Sequence, residues 1–340
     1  MPPSVAVVGA TGAVGEVMRQ ALLERRFPYR SIKFLASERS AGKPISFGGK
    51  SYLVEPLRPE AFHGVDIVLS STPAGVSREW SPIAARAGAY VVDNSSAWRM
   101  DPEVPLVVPE VNAHALDHAP KRIIANPNCS TIQMVVALQP LHALSRIKRV
   151  VVCTYQASSG KGATGLMDLD AQVRALGQGQ PVPPPTAHAA QLAGNVVTHD
   201  WKLGADGYSE EEEKMIRETR KIMGDESILV APTTVRVPVR TGHSEAVAVE
   251  FHQPLSVEQA REALRRAPGV VLMDDYANRA IPTPLQAEGK DETFVGRLRR
   301  DPTVPHGLLL WVVADNLRKG AATNAVQIAE ELLRRGLVAS

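Results

Sequence analysis

Cysteine is scarce in this 340-residue chain, which holds only Cys129 and Cys153. Two are too few for a disulfide scaffold and point to free thiols in a reducing compartment. Neither sign of charge is in excess: Lys and Arg number 38, Asp and Glu 36, and the net charge is +2. No global field is therefore available to grip nucleic acid or an anionic lipid surface. The short basic clusters Arg297-Leu298-Arg299-Arg300 and Arg334-Arg335 lack interleaved aromatics and read as solvated faces. No internal repeat is visible. The first residues, Met-Pro-Pro-Ser, carry no basic segment and reach a glycine loop before a signal-peptide core could form, so an unexported, cytoplasmic protein is expected. Residues 123–145 lack Asp, Glu, Lys and Arg, but they include Asn126, Pro127, Asn128, Gln133, Gln139 and Pro140, which lipid would penalise. That stretch reads as strand, loop and buried helix, and no membrane partner is expected.

What is present is ordinary globular material. Apolar residues make up 44% and charged residues 22%, which excludes disordered, collagen-like and coiled-coil chains, and the length suggests two domains. Val5 to Val8 forms a β-rich run, followed by glycines and by an amphipathic stretch with Val14, Val17, Met18, Ala21 and Leu22 on one face. The alternation continues with strands at 32–36, 67–69 and 90–92 and a helix at 77–87, which predicts a doubly wound parallel sheet of the Rossmann type in an α/β fold. A short strand at 123–125 and a helical run at 132–144 follow. Beyond residue 128 the strands lengthen, at 150–156, 230–239, 246–251, 293–298 and 308–314, with irregular segments between them, and predict a mixed α+β second domain. Pro181 to Pro185 is expected in an exposed loop, and 321–335 as a closing helix that returns to the first domain. The expected division is 1–127 plus 317–340 for a dinucleotide-binding domain and 128–316 for a catalytic and dimerisation domain.

Gly9-Ala10-Thr11-Gly12-Ala13-Val14-Gly15 fits G-x-x-G-x-x-G between a strand and a helix. Glycines there let the backbone approach a pyrophosphate, which the helix N-terminus stabilises. The second strand runs into Ala36-Ser37-Glu38-Arg39-Ser40, where Ser37 and Arg39 suit a 2′-phosphate while Glu38 leaves an NAD-type site open. Cys129 stands where a strand ends and an apolar helix begins, a place where free amides and the helix dipole favour thiolate and make it a candidate nucleophile. Cys153, after Val150-Val151-Val152, reads as structural. His114 and His118 have no convincing third ligand, so no metal is assigned.

Several blocks together resemble the bacterial aspartate-semialdehyde dehydrogenase family. They are the glycine loop, Ser95-Ser96-Ala97-Trp98-Arg99-Met100, Asn128-Cys129-Ser130-Thr131 and Tyr155-Gln156-Ala157-Ser158-Ser159-Gly160. Three more are Glu211-x-x-Lys214-Met215-x-x-Glu218-Thr219-x-Lys221, Arg236-Val237-Pro238-Val239-Arg240-Thr241-Gly242-His243 and Asp315-Asn316-Leu317-Arg318-Lys319-Gly320-Ala321. The match spans nearly the whole chain in family order.

The resemblance implies reductive dephosphorylation of L-aspartyl-4-phosphate by NADPH to L-aspartate 4-semialdehyde, a step toward diaminopimelate and lysine, threonine and methionine. Cys129 would form a thioester, His243 would be the acid/base because an imidazole titrates nearest neutrality, and Gln156 would orient the acyl group. Arg236 would bind the substrate carboxylate and Glu211 its ammonium, with Arg99, Asn128 and Lys214 around the phosphate. NADP would be held by Gly9, Thr11, Gly12, Ala13, Val14 and Gly15, by Ser37, Arg39, Ser40 and Thr72, and by Ser159, Gly160 and Asn316. A homodimer is implied, with a homotetramer as the alternative. Two other readings stay open: N-acetyl-γ-glutamyl-phosphate reductase, which runs the same cysteine chemistry on an acylated substrate, and a non-catalytic dinucleotide-binding protein on the same fold.

Overall fold

The computed structural model describes residues 1–338; Ala339 and Ser340, the end of the expected 317–340 segment, lie outside the described residues. The chain forms two compact units, one of Met1–Pro127 with the chain from Ala321 onward, the other of Asn128–Gly320. The return to the first unit thus falls four residues later than the expected 317.

In the first unit the chain runs through β1 (Ser4–Val8), α1 (Ala13–Glu24), β2 (Ser31–Ala36), a small hairpin of β3 (Pro44–Phe47) and β4 (Lys50–Leu53), then β5 (Glu55–Pro56) and β6 (Ile67–Ser70). It continues with α2 (Ala74–Arg86), β7 (Tyr90–Asp93), the short α3 (Pro109–Asn112) and β8 (Ile123–Ala125). Six strands pair all in parallel in the order β5-β2-β1-β6-β7-β8. Strand order reverses on either side of β1, so the turn after β1 opens at the topological switch point, where α/β sheets bind ligands.

That turn depends on glycine twice. Gly9 has φ +78°, and a Cβ on it would lie 2.2 Å from the Ser71 carbonyl oxygen; a Cβ on Gly15 would lie 2.2 Å from the Gly9 carbonyl oxygen. The first opens the bend and the second lets α1 sit directly against it. Gly12 caps α1 with no side-chain hydrogen bond, so the amides of the first turn are not taken by a capping side chain.

In the second unit come α4 (Cys129–His142), β9 (Ile147–Gln156), α5 (Gly162–Gly177), α6 (Glu210–Met223), β10 (Leu229–Arg236) and β11 (His243–Phe251). After these lie α7 (Val257–Arg266), β12 (Val270–Leu272), α8 (Pro284–Ala287), β13 (Thr293–Asp301) and β14 (Gly307–Ala314). The mixed sheet has the order β10-β9-β11-β14-β13-β12. β10 runs parallel to β9 and β12 to β13, and the other pairs are antiparallel. One face carries the core, in which Met134, Leu138 and Leu141 of α4 pack with Val150, Val152, Val247, Leu310 and Val312. Alternate residues, Val151, Cys153, Tyr155 and Trp311, lie on the opposite, partly exposed face. The helix expected at 132–144 starts three residues earlier because Asn128 caps it, its side chain accepting from the amides of Ser130 and Thr131.

The last helix, α9 (Thr323–Arg334), belongs to the first unit, where Ile328, Ala329 and Leu332 share a core with Val5, Met18, Phe34 and Leu69. Pro181 to Pro185 lies in the irregular stretch between α5 and α6.

The glycines yield opposite stability effects from one substitution. Gly75 lies in the first turn of α2, and a Cβ added to it would meet no atom within 4 Å, so Gly75→Ala is expected to stabilise by about 0.5 kcal/mol. Gly15→Ala, although also in a helix, is expected to destabilise by more than about 1 kcal/mol because the methyl meets backbone. Chemical denaturation of both variants checks the sign.

Candidate active site

Strand directions in the second unit bring the expected residues to one edge. The carboxyl ends of β9, β10 and β14 lie there with the amino end of β11, and the register pairs Arg236 with Gln156 and His243 with Ala314. Cys129 opens α4, Glu211 and Lys214 lie in the first two turns of α6, and Asn316 follows β14.

Asn128 joins these elements. Its side-chain oxygen accepts from Ser130 N at 3.0 Å and Thr131 N at 3.2 Å, its Nδ2 donates to Glu211 Oε1 at 2.7 Å, and its backbone amide donates to Glu218 Oε2 at 2.6 Å. Glu211 also receives Gln156 Nε2 at 3.4 Å and pairs with Lys214 Nζ at 3.1 Å. Burial pushes this carboxyl up, but Lys214, the Asn128 amide and Arg236 outweigh it and hold Glu211 below the usual carboxylate range. It is a buried anion. Gly320 passes so close that a Cβ on it would be 2.8 Å from that of Cys129.

Arg236 is almost wholly buried, with its Nε donating to Asp200 Oδ2 at 2.9 Å and an Nη1 donating to the Ala157 carbonyl at 2.6 Å. The Trp201 ring lies 4.6 Å beneath its guanidinium carbon. Asp200 is braced in turn by Lys161 Nζ at 2.9 Å and by His188 Nδ1 at 3.2 Å. Burial raises its carboxyl, but Lys161, the Ala189 amide and Arg236 together pull it down to about 2. This clamp leaves donors on the free side of the fork. A Cβ on Gly160 would fall 2.8 Å from Arg236 Nη1 and 3.5 Å from His243 Nε2, so a bare residue there keeps open the space that both groups face.

His243 departs from the expectation of a group titrating near neutrality. Its Nδ1 accepts from the Ala157 amide at 3.0 Å, and that amide can only donate. The neutral ring therefore carries its proton on Nε2, which is buried and has no hydrogen-bond partner. Burial, with help from Arg236 and against Glu211, pushes the imidazole down to about 3. The site presents a neutral Nε2–H donor.

Ser159 Oγ and Asn316 are mutually bonded at 2.9–3.0 Å, and Asn316 Oδ1 also accepts from the Gly242 amide. The remaining candidates lie in the first unit. There the Arg99 guanidinium donates to the carbonyls of Asn126 and Asn94, both at 3.0 Å. Thr72, near Gly9, has its hydroxyl 3.4 Å from Ser70 Oγ. Ser37 and Arg39 are exposed at the carboxyl end of β2, and Thr11 Oγ1 reaches Ser40 Oγ at 3.4 Å. Glu38 faces Arg58 across an exposed 3.4 Å pair, whereas Arg39 has no ion pair among the described residues. The loop thus offers a cation and two hydroxyls, a set that fits a 2′-phosphate, beside a glycine turn that fits a pyrophosphate. His114 lies in a 3-10 turn that ends at Asp117 and so shares no α-helical face with His118.

Sequence reasoning missed Asp200, Lys161, His188 and Trp201, which no short-range spacing connects. Glu218 was discoverable, since it lies seven residues from Glu211 on one helix and therefore on the same face.

Two family models match the chain: "Semialdehyde dehydrogenase, NAD binding domain" over residues 4–119 and "Semialdehyde dehydrogenase, dimerisation domain" over residues 138–319. Aspartate-semialdehyde dehydrogenase of Aquifex aeolicus is 53% identical over 98% of this chain and 99% of its own, and that of Bacillus subtilis is 46% identical over 98% of each. The structure of aspartate semialdehyde dehydrogenase II of Vibrio cholerae complexed with ASA superposes with a TM-score of 0.95 at 46% identity, covering 98% of this chain and 99% of that one. The Candida albicans aspartate semialdehyde dehydrogenase with NADP gives a TM-score of 0.76 at 25% identity, over 99% and 100%.

The His243 geometry has a pH consequence. The unfolded chain takes up a proton at this residue as pH falls below 6.5 while the folded one resists until about 3, so stability is lost through that window. The cost is of order 2 kcal/mol at pH 5. His243→Gln is expected to lose less stability than wild type between pH 6.5 and 4, as measured by urea unfolding at each pH.

Proposed function

The chain belongs to the aspartate-semialdehyde dehydrogenase family, and we propose that it carries out the NADP-dependent, phosphorylating reaction through a thioester on Cys129. The observation that carries this reading is the bonded series Asn128–Glu211–Gln156. It ties the cap of the helix that Cys129 opens to the groups that suit a substrate ammonium and acyl oxygen. Thiolate at the helix start attacks the acyl carbon of L-aspartyl-4-phosphate and the C–O bond to phosphate breaks, with Arg99, Asn128 and Lys214 assigned to phosphate by family resemblance. His243 offers its Nε2–H to the reacting carbonyl oxygen, and Arg236, held by Asp200 and Ala157, presents its fork to the α-carboxylate. NADPH, when bound, supplies the hydride that reduces the thioester to semialdehyde and releases the Cys129 thiolate. The glycine loop, Thr72, Ser37, Arg39 and Ser40 are the proposed NADP contacts of the first unit, and Ser159, Gly160 and Asn316 those of the second. The product is an intermediate for lysine through diaminopimelate, threonine and methionine.

Glu211 favours this substrate over an N-acetylated glutamyl phosphate. A buried anion suits a free ammonium, and an acetamide would bring it no positive charge. The dimerisation-domain match supports a homodimer, with the partly exposed sheet face of Val151, Tyr155 and Trp311 as its apolar surface. Among the described residues no helix is long and apolar enough to cross a membrane.

With semialdehyde, phosphate and NADP⁺, the purified protein is expected to raise the reduced-nicotinamide absorbance. Cys129→Ala should lower kcat by about a thousandfold or more, while Cys153→Ala keeps most activity. Equal rates in the two variants overturn the thioester reading, and faster turnover of N-acetylglutamate semialdehyde overturns the substrate. Arg39→Ala should raise the KM for NADPH by about ten- to a hundredfold and leave that for NADH nearly unchanged. An equal loss for both cofactors removes the 2′-phosphate assignment.

A further inference from the structure

Glu245 lies on β11 two residues beyond His243, and so on the same face of the sheet. It is wholly buried, and neither of its carboxyl oxygens has a well-formed hydrogen bond, although the Gln133 amide lies near enough to act on the carboxyl. Its neighbours in register are Thr154 on β9 and Val312 on β14, neither of them charged. From α4, which packs across this face, the polar group that acts on it is Gln133, four residues and one helical turn beyond Cys129. The Gln133 amide nitrogen donates to the His243 carbonyl at 3.4 Å, and its Oε1 is buried with no partner.

We propose that Glu245 is kept as a neutral carboxylic acid beneath the active site and that, with Gln133, it is the positioning pair joining the Cys129 helix to the His243 strand. The argument is one of donors and acceptors. Gln133 Oε1 is an unmatched acceptor, and an ionised Glu245 would set more acceptors against it. A protonated Glu245 has one O–H to give, which converts unmatched acceptors into a hydrogen bond and leaves the Gln133 amide free to hold the His243 carbonyl. Burial also drives the carboxyl well above the ordinary range, and the Gln133 amide offsets only part of that. The titratable groups nearest in sequence on the two elements are His243 on its own strand and Cys129 on α4. The charges of Glu211 and Arg236 act on His243.

Glu245→Gln mimics the neutral acid and supplies an N–H in place of the O–H. Glu245→Leu removes the donor. The positioning role rests on the reading of Cys129 and His243 as the reacting pair, but the protonation state does not, so the test has separate arms. In infrared difference spectra at neutral pH, wild type should show a protonated-carboxyl band that Glu245→Gln lacks. In unfolding, the wild-type chain releases this proton above the ordinary value of 4.5 only when it unfolds. Glu245→Gln should therefore be the more stable protein above that pH, by a margin that widens as pH rises and vanishes below it. In turnover, Glu245→Leu should lower kcat by about tenfold or more with each KM within about threefold, and Glu245→Gln should restore kcat. If Glu245→Leu does not fold, Gln133→Leu reads the same link from the helix side. An unchanged infrared band, a stability margin that does not grow with pH, or a kcat left intact by both leucine variants overturns the proposal. Failure of the Cys129 assignment alone would leave the spectroscopic and stability results standing.

Discussion

A helix that begins at the proposed nucleophile, Cys129, must satisfy its first amides and still leave room for substrate, and in this protein one asparagine meets both demands. The Asn128 side chain caps α4 through two amides, turns its own NH2 to Glu211, and gives its backbone N–H to Glu218. Two helices of the second unit, α4 and α6, are thereby set relative to one another by a single residue. Because every one of these bonds is buried, removing the side chain would strand two amides and take one donor from Glu211, a cost well above that of one exposed hydrogen bond.

The charges around that point are arranged in opposite senses. Glu211 stays ionised because a lysine and an amide lie against it, and Asp200 because Lys161 and Arg236 do. His243 stays neutral because burial and Arg236 act together on it. Anionic, cationic and neutral groups thus coexist within one sheet edge, each with its protonation state set by its immediate partners and not by its ordinary value. On the proposed reading, such a site binds a zwitterionic amino-acid moiety at one end and presents a neutral hydrogen-bond donor at the other.

Beneath this edge the buried polar groups are less completely paired. Gln133 and Glu245 sit among valines and leucines of the second core, where an unpaired carboxylate would be far costlier than a carboxylic acid. Gln133 there links α4, through its bond to the His243 carbonyl, to the strand that carries His243.

Local chemistry, which is written in consecutive residues, was legible in the sequence. The alternation of short apolar runs and amphipathic stretches announced a parallel sheet, the glycine spacing announced the turn after β1, and Asn128-Cys129 announced a helix start. Glycines at 9 and 15 are demanded by backbone contacts within a few residues, so their pattern is visible without a structure. The state of His243 was not legible, because its lowered titration follows from complete burial and from Arg236, seven residues away and on another strand. Nor were Asp200, Lys161 and His188, which meet at Arg236 only after the chain between β9 and β10 has folded back. Residue type and spacing therefore determined which groups could do the chemistry, whereas desolvation and long-range pairing, which exist only once the strands are in register, decided which of them carry charge.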